Sequence, residues 1–300
     1  VGNPDTRFNE DALRILRALR FASVYGFSIE ENTSKSIFKN ADLLKNIATE
    51  RVISEFLKLI CGKDAVKILD AYRETIAVII PEITVMFNFN QNNIHHSYDL
   101  WQHTLTALGT IEPNPILRMT MLLHDIGKPS VKTTDNSGQS HFQGHQLESK
   151  KIADRILHRL RLPSDFINKT LLLIEYHDVR FNGSKKLMKK VMNVLGTDLT
   201  KQLLEVEYAD ISAQSEYQRE EKLGYLETAK THLNEIIKDN ECFKLSQLDI
   251  NGKDVLNLGV KEGRDVGNIL DYLLMLVVDA NVPNKKSILI SKAKEYIYGN

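Results

Sequence analysis

The stretch MLLHDIGKP, residues 121–129, decides how this chain is interpreted. It continues an apolar helical pattern that begins at Pro115, and Gly127 is the expected end of that helix. His124 and Asp125 are therefore expected side by side at a helix end. Imidazole nitrogen and carboxylate oxygen both bind divalent ions such as Mg, Mn, Ni or Co. A lone His-Asp pair is more often an ordinary surface or core pair, so a metal site needs further ligands.

Further ligand candidates lie on separate helical segments of the chain. His103 stands in DLWQHTLTAL and Asp210 in EYADISAQ, while His145 opens GHQLES and His177 ends IEYH. If they converge with the His-Asp pair, a bound cation would polarise phosphoryl oxygens and lower the pKa of a coordinated water. Four other histidines fall outside this pattern and are expected at the surface or in packing positions: His95, His96, His141 and His158.

The order of these residues resembles the H…HD…D pattern of the HD superfamily of metal-dependent phosphohydrolases. The resemblance implies a divalent ion held by His103, His124, Asp125 and Asp210, with His124 and Asp125 as the catalytic pair. It places His145 and His177 where two-metal members of that superfamily carry their extra histidines. Lys128 follows the pair, and it is as readily a lysine complementing the helix dipole as a phosphate contact.

Helical periodicity extends over nearly the whole chain, which predicts an all-α fold with few strands. Predicted helices cover 10–25, 48–62 and 64–75 in the first part, with a capping box at Ser28 and Glu31 before a further helix. Asn114 and Pro115 predict another helix start. In the second part the patterns follow one another closely: 145–161, 165–177, 185–195, 199–213 and 217–238.

Composition sets limits on the class of protein. The chain has 300 residues, 42% of them hydrophobic and 26% charged, which is enough for a buried core and a charged surface. No apolar run approaches the roughly 20 residues of a membrane span, and the first residues show no signal peptide, so no membrane partner is expected. Two cysteines far apart agree with a reducing, cytoplasmic location. A net charge of zero does not by itself indicate a nucleic-acid partner.

The first residues carry a second motif, GNPDTRFNEDALRILRALRF at 2–21. In a continuous helix Asp11 and Arg14 would share one face, as would Arg17 and Arg20. A carboxylate beside a guanidinium offers acceptors and fixed donors that could match the edge of a nucleotide base. Spacing alone, however, favours an ordinary surface ion pair.

The motif resembles the neck of bacterial class II tRNA nucleotidyltransferases, the CCA-adding enzymes and their poly(A) polymerase relatives. The resemblance identifies EDxxR with Glu10, Asp11 and Arg14, followed by Arg17, and implies that Asp11, Arg14 and Arg17 bind the base of CTP or ATP. ATERVISEF at 48–56 is similar to a neck helix of that family, in which Glu50 and Arg51 would support the nucleotide-binding helix.

The last third of the chain extends the resemblance. LDINGKDVLNLGVKEGRDVGNIL at 248–270 resembles the tRNA-binding tail of that family and implies that Lys253, Lys261 and Arg264 contact RNA. The expected organisation is neck and body at 1–90, an HD-type helical domain at 91–215, and a linker helix with a helical tail at 216–300. Implied partners are tRNA and nucleotides.

One departure from the family pattern is expected to matter. The transferase head needs a Gly-Ser turn followed by two aspartates two positions apart, yet no such aspartates occur, and the Gly-Ser at 183–184 leads into KKLMKK. Since the chain begins with Val, we expect the head to precede Val1 in a longer parent. This portion would then keep base selection and tRNA docking but transfer no nucleotide.

Two other functions stay open at this stage. One is a free-standing HD phosphohydrolase acting on nucleotides or cyclic phosphates, and the other is a non-catalytic RNA-binding module. The basic cluster Lys185, Lys186, Lys189 and Lys190 is either an RNA contact or a solvated helix face. The sequence does not distinguish CCA from poly(A) addition, nor does it identify the metal, the substrate of the HD site or the oligomeric state.

Overall fold

A computed structural model describes residues 2–95, 97–261 and 263–299; His96 and Val1 lie outside the described residues. The all-α fold class is confirmed, because helices dominate and only two strands of two residues each appear in the described ranges. The helices of the first part are α1 Pro4–Glu10, α2 Leu13–Tyr25, α3 Glu31–Asn40, α4 Thr49–Ile60, α5 Ala65–Ala71, α6 Arg73–Ala77, α7 Leu100–Thr110, α8 Pro115–Leu123, α9 Lys128–Val131, α10 His145–Arg159 and α11 Ser164–Tyr176.

The remaining helices are α12 Lys185–Ala213, α13 Arg219–Lys238, α14 Gly252–Leu256, α15 Arg264–Val278 and α16 Lys286–Tyr298. Short 3₁₀ helices cover Ala41–Asn46, Pro81–Met86 and Leu245–Gln247. The strands β1 Thr133–Thr134 and β2 Ser140–His141 pair antiparallel, with Thr133 opposite His141. None of the helices in the described ranges has the length and apolarity that a membrane crossing requires.

The prediction of one helix over 10–25 is wrong at Asp11, where the helix breaks. Asp11 is extended, with φ −152° and ψ 102°, and its Oδ1 accepts a hydrogen bond from the N–H of Leu13 at 3.1 Å. A short acidic side chain readily bonds to nearby backbone in this way and so competes with helix continuation. Asp11 and Arg14 therefore do not share a helix face.

Some of the predicted helix ends are confirmed and others are wrong. The helix start at Asn114 is confirmed, since its side chain accepts hydrogen bonds from the backbone N–H groups of Ile116 and Leu117. The helix end at Gly26 is also confirmed, because Gly26 ends α2 with φ 76°. The capping box at Ser28 is wrong, because Glu30 caps α3 instead, accepting from the N–H groups of Asn32 and Thr33. The helices predicted at 185–195 and 199–213 are the two halves of α12, separated by non-helical backbone at Gly196 with φ 71° and ψ 175°.

The chain divides into two compact units. One comprises the described residues up to Val179 together with Gln202–Leu223, and the other comprises Arg180–Lys201 and the described residues from Gly224 onward. In the first unit α2 packs against α4, and α11 packs against both α8 and α10. The core of the second unit includes Ile250, Leu273 and Leu289. The three-part organisation expected from sequence motifs is a different division and stays a prediction.

Candidate metal centre

Five helices of the first unit place the six predicted ligands. His103 lies in α7 and Asp210 in α12, whereas His145 is the first residue of α10. His124 and His177 each follow the last residue of a helix, α8 and α11 respectively. Every one of these side chains is buried except that of Asp210, which is 15% exposed.

The main chain orients all four histidines in the same way. Nδ1 of His124 lies 2.7 Å from the carbonyl oxygen of Met121, and Nδ1 of His177 lies 2.7 Å from that of Ile174. The corresponding distances are 2.9 Å from His145 to Phe142 and 3.3 Å from His103 to Ala213. Since a carbonyl only accepts, each Nδ1 carries the hydrogen. In the neutral ring the lone pair is then on Nε2.

The four Nε2 atoms converge on carboxylate oxygens. His103 Nε2 lies 2.9 Å from Asp210 Oδ1 and 3.4 Å from Asp125 Oδ2. His124 Nε2 lies 3.1 Å from Asp125 Oδ2 and 3.4 Å from Asp210 Oδ1. One potential ligand atom from each of these four residues falls within 4.8 Å of the other three. Such spacing suits four ligands of a single divalent ion.

A second group shares Asp125. Its other oxygen, Oδ1, lies 3.2 Å from His145 Nε2 and 3.6 Å from His177 Nε2, and these two nitrogens are 3.2 Å apart. The three side chains again bring their ligand atoms within 4.8 Å of one another. Asp125 can therefore bridge two neighbouring cation positions, one with each carboxylate oxygen.

The ligand atoms fit a metal because, when the histidine rings are neutral with hydrogen on Nδ1, the lone pairs of Nε2 face carboxylate oxygens. His124 Nε2 and Asp125 Oδ1 are buried without a hydrogen bond among the described residues. Buried polar atoms are rarely left this way in proteins. Lone pairs of nitrogen and oxygen that converge at about 3 Å require a cation, either a proton or a metal ion.

The charges of the cluster agree with this requirement. Burial would by itself lower the pKa of His124, but the negative charges of Asp125 and Asp210 outweigh it and raise the pKa to about 10. Burial raises the pKa of Asp125, whereas the positive charges of His124 and Lys128 lower it well below its usual range. Without a metal, the His124 imidazole therefore holds a proton at neutral pH.

Gly127 is required by the close approach of the turn after Asp125 to the start of α10. A Cβ at this position would lie 2.5 Å from the backbone nitrogen of Ser149 and 2.8 Å from the carbonyl oxygen of His145. The N–H of Gly127 donates a hydrogen bond to Ser149 Oγ at 2.9 Å. The glycine in HDIGKP thus lets two ligand-bearing segments meet.

Three polar neighbours of the cluster, Gln91, Gln214 and Glu207, were not identified from sequence. Lys128 was singled out, but not its position: it is 5% exposed, and its Nζ lies 2.6 Å from Asp125 Oδ2 and 3.1 Å from Oε1 of the buried Gln91. Gln214 donates a hydrogen bond to Asp210 Oδ2 at 2.7 Å, which leaves Oδ1 facing the histidines. Glu207 is 6% exposed, one helical turn before Asp210. Of these, only the spacing of Gln214, four residues after Asp210, was a usable signal.

The residues predicted to bind a nucleotide lie around the break between α1 and α2. Asp11 Oδ2 forms an ion pair with Arg51 Nη2 of α4 at 3.0 Å, while Glu50 pairs with Arg161 at 2.7 Å. Arg14 pairs with Glu10 rather than with Asp11. Arg17 is exposed.

The basic residues of the second unit differ in their partners. Lys253, Lys261 and Arg264 are exposed and have no ion pair with the described residues. The four lysines of the cluster at 185–190 are instead paired with carboxylates. Lys185 and Lys189 pair with Glu241 at 2.5 and 2.6 Å, and Lys186 and Lys190 both pair with Asp279 at 3.1 Å.

Two family models match the chain. One, described as "Probable RNA and SrmB- binding site of polymerase A", matches residues 26–87. The other, described as "tRNA nucleotidyltransferase domain 2 putative", matches residues 145–293.

Individual proteins match most of the chain. It is 29% identical to the CC-adding tRNA nucleotidyltransferase of Thermus thermophilus over 92% of this chain and 65% of that protein. It is 27% identical to the CCA-adding enzyme of Ligilactobacillus salivarius over 99% of this chain and 62% of that protein. The chain therefore spans less than two thirds of the length of these relatives.

A solved structure shows the same fold. The crystal structure of the Bacillus stearothermophilus CCA-adding enzyme in complex with CTP superposes with a TM-score of 0.67 and covers 100% of this chain and 66% of that one. The sequence identity is 20%, so this likeness concerns the fold alone.

Proposed function

We propose that this chain belongs to the tRNA nucleotidyltransferase family and is the neck, body, HD and tail portion of a CCA-adding tRNA nucleotidyltransferase. The observation that carries the proposal is the similarity to the CCA-adding enzyme of Ligilactobacillus salivarius over 99% of the chain. In this proposal 1–90 is the neck and body, 91–215 the HD domain, and 216–300 the linker helix and tail.

Base recognition is assigned to Asp11, Arg14 and Arg17. The ion pair to Arg51 fixes Asp11 at the break between α1 and α2, and the exposed Arg17 follows within the first turns of α2. Carboxylate acceptors and guanidinium donors suit the hydrogen-bonding edge of cytosine or adenine in CTP and ATP. The tail cations Lys253, Lys261 and Arg264 are assigned to phosphates of tRNA.

Transferase activity is proposed only for this chain joined to a head that carries the aspartate pair. Mixed with CTP, ATP, magnesium and tRNA lacking its 3′ end, the chain alone should extend nothing. Joined behind the head of the Thermus relative, it should support extension. In that fusion Arg14→Ala should impair selection of CTP over other nucleotides, because the base loses its fixed donors.

Arg7→Ala is the matched control, since Arg7 also pairs with Glu10, at 2.9 Å, but is not assigned to the base. Its nucleotide selection should stay that of the unaltered fusion. Equal selectivity in the Arg14 and Arg7 variants would remove Arg14 from the base site. Extension of tRNA by the chain alone would contradict the assignment of the chemistry to the head.

We also propose that the metal centre is a phosphohydrolase site. His103, His124, Asp125 and Asp210 would hold one divalent ion, and His145 and His177 would complete a second position with Asp125. A bound ion would supply charge for the phosphoryl oxygens and lower the pKa of a water. The protein supplies fixed imidazole tautomers, buried ligand side chains, and the Lys128 ammonium next to Asp125. Small nucleotides and cyclic phosphates are the proposed substrates.

Calorimetric titration of the metal-free chain with Mn, Ni, Co or Mg tests this proposal. Because His124 holds a proton up to a pKa of about 10, metal binding should release protons and tighten as the pH rises from 6 to 9. His124→Ala and Asp125→Asn should lose binding, whereas His141→Ala, at a histidine that is half exposed and paired with Asp135, should not. A chain that neither binds these metals nor hydrolyses nucleotides would show that the cluster is structural.

A further inference from the structure

A stack of flat side chains lies at the end of α2. The guanidinium of Arg20 lies over the ring of Phe21, 4.1 Å from its centroid. The rings of Phe21 and Tyr25 follow at 5.8 Å with an interplanar angle of 27°, and those of Tyr25 and Phe27 at 5.5 Å with 29°. We call these four residues the aromatic ladder.

The aromatic ladder is open to solvent at one end. Arg20 closes the other end and is held by Glu55 at 2.6 Å. Tyr25 is 53% exposed and Phe27 63% exposed. Gly26, with φ 76°, turns the chain after α2 so that Phe27 folds back onto Tyr25. Large exposed rings in a stack are costly in water, and such patches commonly mark binding surfaces.

Unpaired cations surround the aromatic ladder. Arg17 is exposed one helical turn before Phe21, and Lys63 comes within 3.0 Å of the position a Cβ at Gly26 would occupy. Lys67 is exposed one turn after Lys63. None of these three cations forms an ion pair with the described residues, in contrast to the four lysines at 185–190. They are available to an anionic ligand.

The nearby acidic groups are mostly engaged. Glu30 caps α3, and Glu31 pairs with Lys35 at 2.6 Å. Asp64 also approaches Gly26, with Oδ2 at 2.9 Å from the position of a Cβ there, so Lys63 is not the sole charge at that point. Flat hydrophobic faces bordered by free cations are the features with which proteins bind single-stranded nucleic acid.

We propose that the aromatic ladder binds unpaired bases of single-stranded RNA. One base would extend the stack on the open face of Phe27, and Lys63 and Lys67 would contact the phosphates. This inference rests on the proposed function, in which the substrate is an RNA with an unpaired 3′ end. Phe27 and both lysines fall within the residues that the family model with an RNA-binding description matches.

The aromatic ladder is distinct from the base-selecting residues. Tyr25 follows Arg14 by eleven residues, which is about 16 Å along a helix. A nucleotide that contacts Arg14 therefore does not reach Phe27. The aromatic ladder would hold a part of the RNA other than the base that is being selected.

Fluorescence anisotropy with a labelled single-stranded RNA of about ten nucleotides, added to the full chain at low salt, tests the aromatic ladder. Phe27→Leu and Tyr25→Leu remove a flat face but keep apolar volume, and each should weaken binding by about fivefold or more. Phe38→Leu is the matched control, since Phe38 is 46% exposed and stacks on Tyr72 instead. Circular dichroism should show all three variants folded.

Three results would overturn the inference. They are equal RNA affinity of the Phe27 and Phe38 variants, binding of duplex RNA as tight as that of single strands, and no binding of single-stranded RNA by the unaltered chain. Sedimentation of the unaltered chain as a dimer that the ladder variants abolish would assign the aromatic ladder to a second copy instead. Extension by the head fusion tests the proposed function separately, so either idea can fail alone.

Discussion

At the scale of single residues, the turn after Asp125 leaves no room for a side chain at position 127. Any side chain there would overlap the backbone at the start of α10 and disturb the hydrogen bond to Ser149. The space is bounded by main chain, which cannot move aside as a flexible side chain can. Both the His124–Asp125 segment and His145 depend on this approach.

Gly127→Ala should therefore lower the free energy of unfolding by about 1–3 kcal/mol, the usual cost of overpacking. Urea denaturation followed by circular dichroism measures it. Gly224→Ala is the control, because Gly224 lies in α13 with open space at its Cβ position, and alanine there should stabilise by roughly 0.5–1 kcal/mol. Equal effects of the two substitutions would contradict the close approach.

Glu207 is the buried acid that sequence analysis missed. Burial, together with the negative charges of Asp210 and Asp178, raises the pKa of Glu207 well above its usual range. Its Oε1 has no hydrogen bond among the described residues. In the sequence it is one of two glutamates in the mixed apolar and acidic stretch LLEVEYAD, and the pattern does not show which of them is buried.

Because the pKa of Glu207 is raised in the folded state, its contribution to the free energy of unfolding decreases as the pH rises. The folded state binds this proton more tightly than the unfolded state, so its stabilising contribution is complete below the unfolded pKa of about 4.3 and is lost as the pH rises through the folded pKa. Glu207→Gln, neutral at every pH, should remove that loss.

With metal chelated, the Gln variant should match the unaltered chain near pH 4 and become more stable than it at higher pH, by at most about 1.4 kcal/mol per pH unit. Thermal denaturation between pH 4 and 9 measures the difference. The control Asp198→Asn changes a carboxylate whose side chain is 99% exposed and should give no such trend. A constant difference across this range would show that Glu207 is charged in the folded state.

At the scale of helices, periodicity predicted which segments are helical but not where each one breaks or what it meets. The side-chain hydrogen bonds of Asp11 and Glu30 decide two helix ends, and both depend on a single side-chain rotamer. The convergence of His103 and Asp210 on the His-Asp pair required family resemblance, since they are more than a hundred positions apart in the sequence. A periodic pattern shows which residues share a helix face, but it does not show which residues of different helices lie close together.

The lysine-rich start of α12 shows the same limit. Its composition suggested RNA, but the carboxylates of Glu241 and Asp279, distant in sequence, pair with these lysines and offset part of their charge. The tail cations have no such partners among the described residues. The number of basic residues in a segment therefore does not predict the net charge at the surface where a ligand would bind.

These two sets of cations should differ in RNA binding. Replacing Lys253, Lys261 and Arg264 together by Ala should weaken tRNA binding and reduce the dependence of log affinity on log salt concentration by about 0.7–0.9 for each phosphate that is no longer neutralised. Replacing Lys186 and Lys190 by Ala should leave that slope unchanged. Anisotropy titrations at several salt concentrations measure both. A smaller slope for the second variant alone would reverse the assignment.

At the scale of the whole molecule, neither unit is continuous in sequence. The first unit takes Gln202–Leu223 from beyond the 180–201 segment, which belongs to the second. Asp210 lies in this distant piece. The sequence motifs, read in order, suggested consecutive domains and gave no sign that the chain passes between the units three times.

A chain ending at Val179 should therefore lose the metal site, whereas one ending at Leu223 should keep it. The shorter chain retains five of the six proposed ligands but lacks Asp210 and the part of α12 that carries it. Calorimetric titration with Ni or Mn compares the two. Equal metal affinity would show that Asp210 is dispensable, while loss in both would show that the second unit is needed as well.

The same interleaving bears on how the protein is made. A ribosome releases the chain from its first residue onward, and domains commonly fold as soon as their last residue has emerged. Here the first unit cannot be completed when Val179 appears; it must wait for Leu223, while the 22 residues from Arg180 to Lys201 are already exposed without most of their own unit. Translation pauses between these two points would prolong a state in which the first unit lacks Asp210 and the rest of Gln202–Leu223.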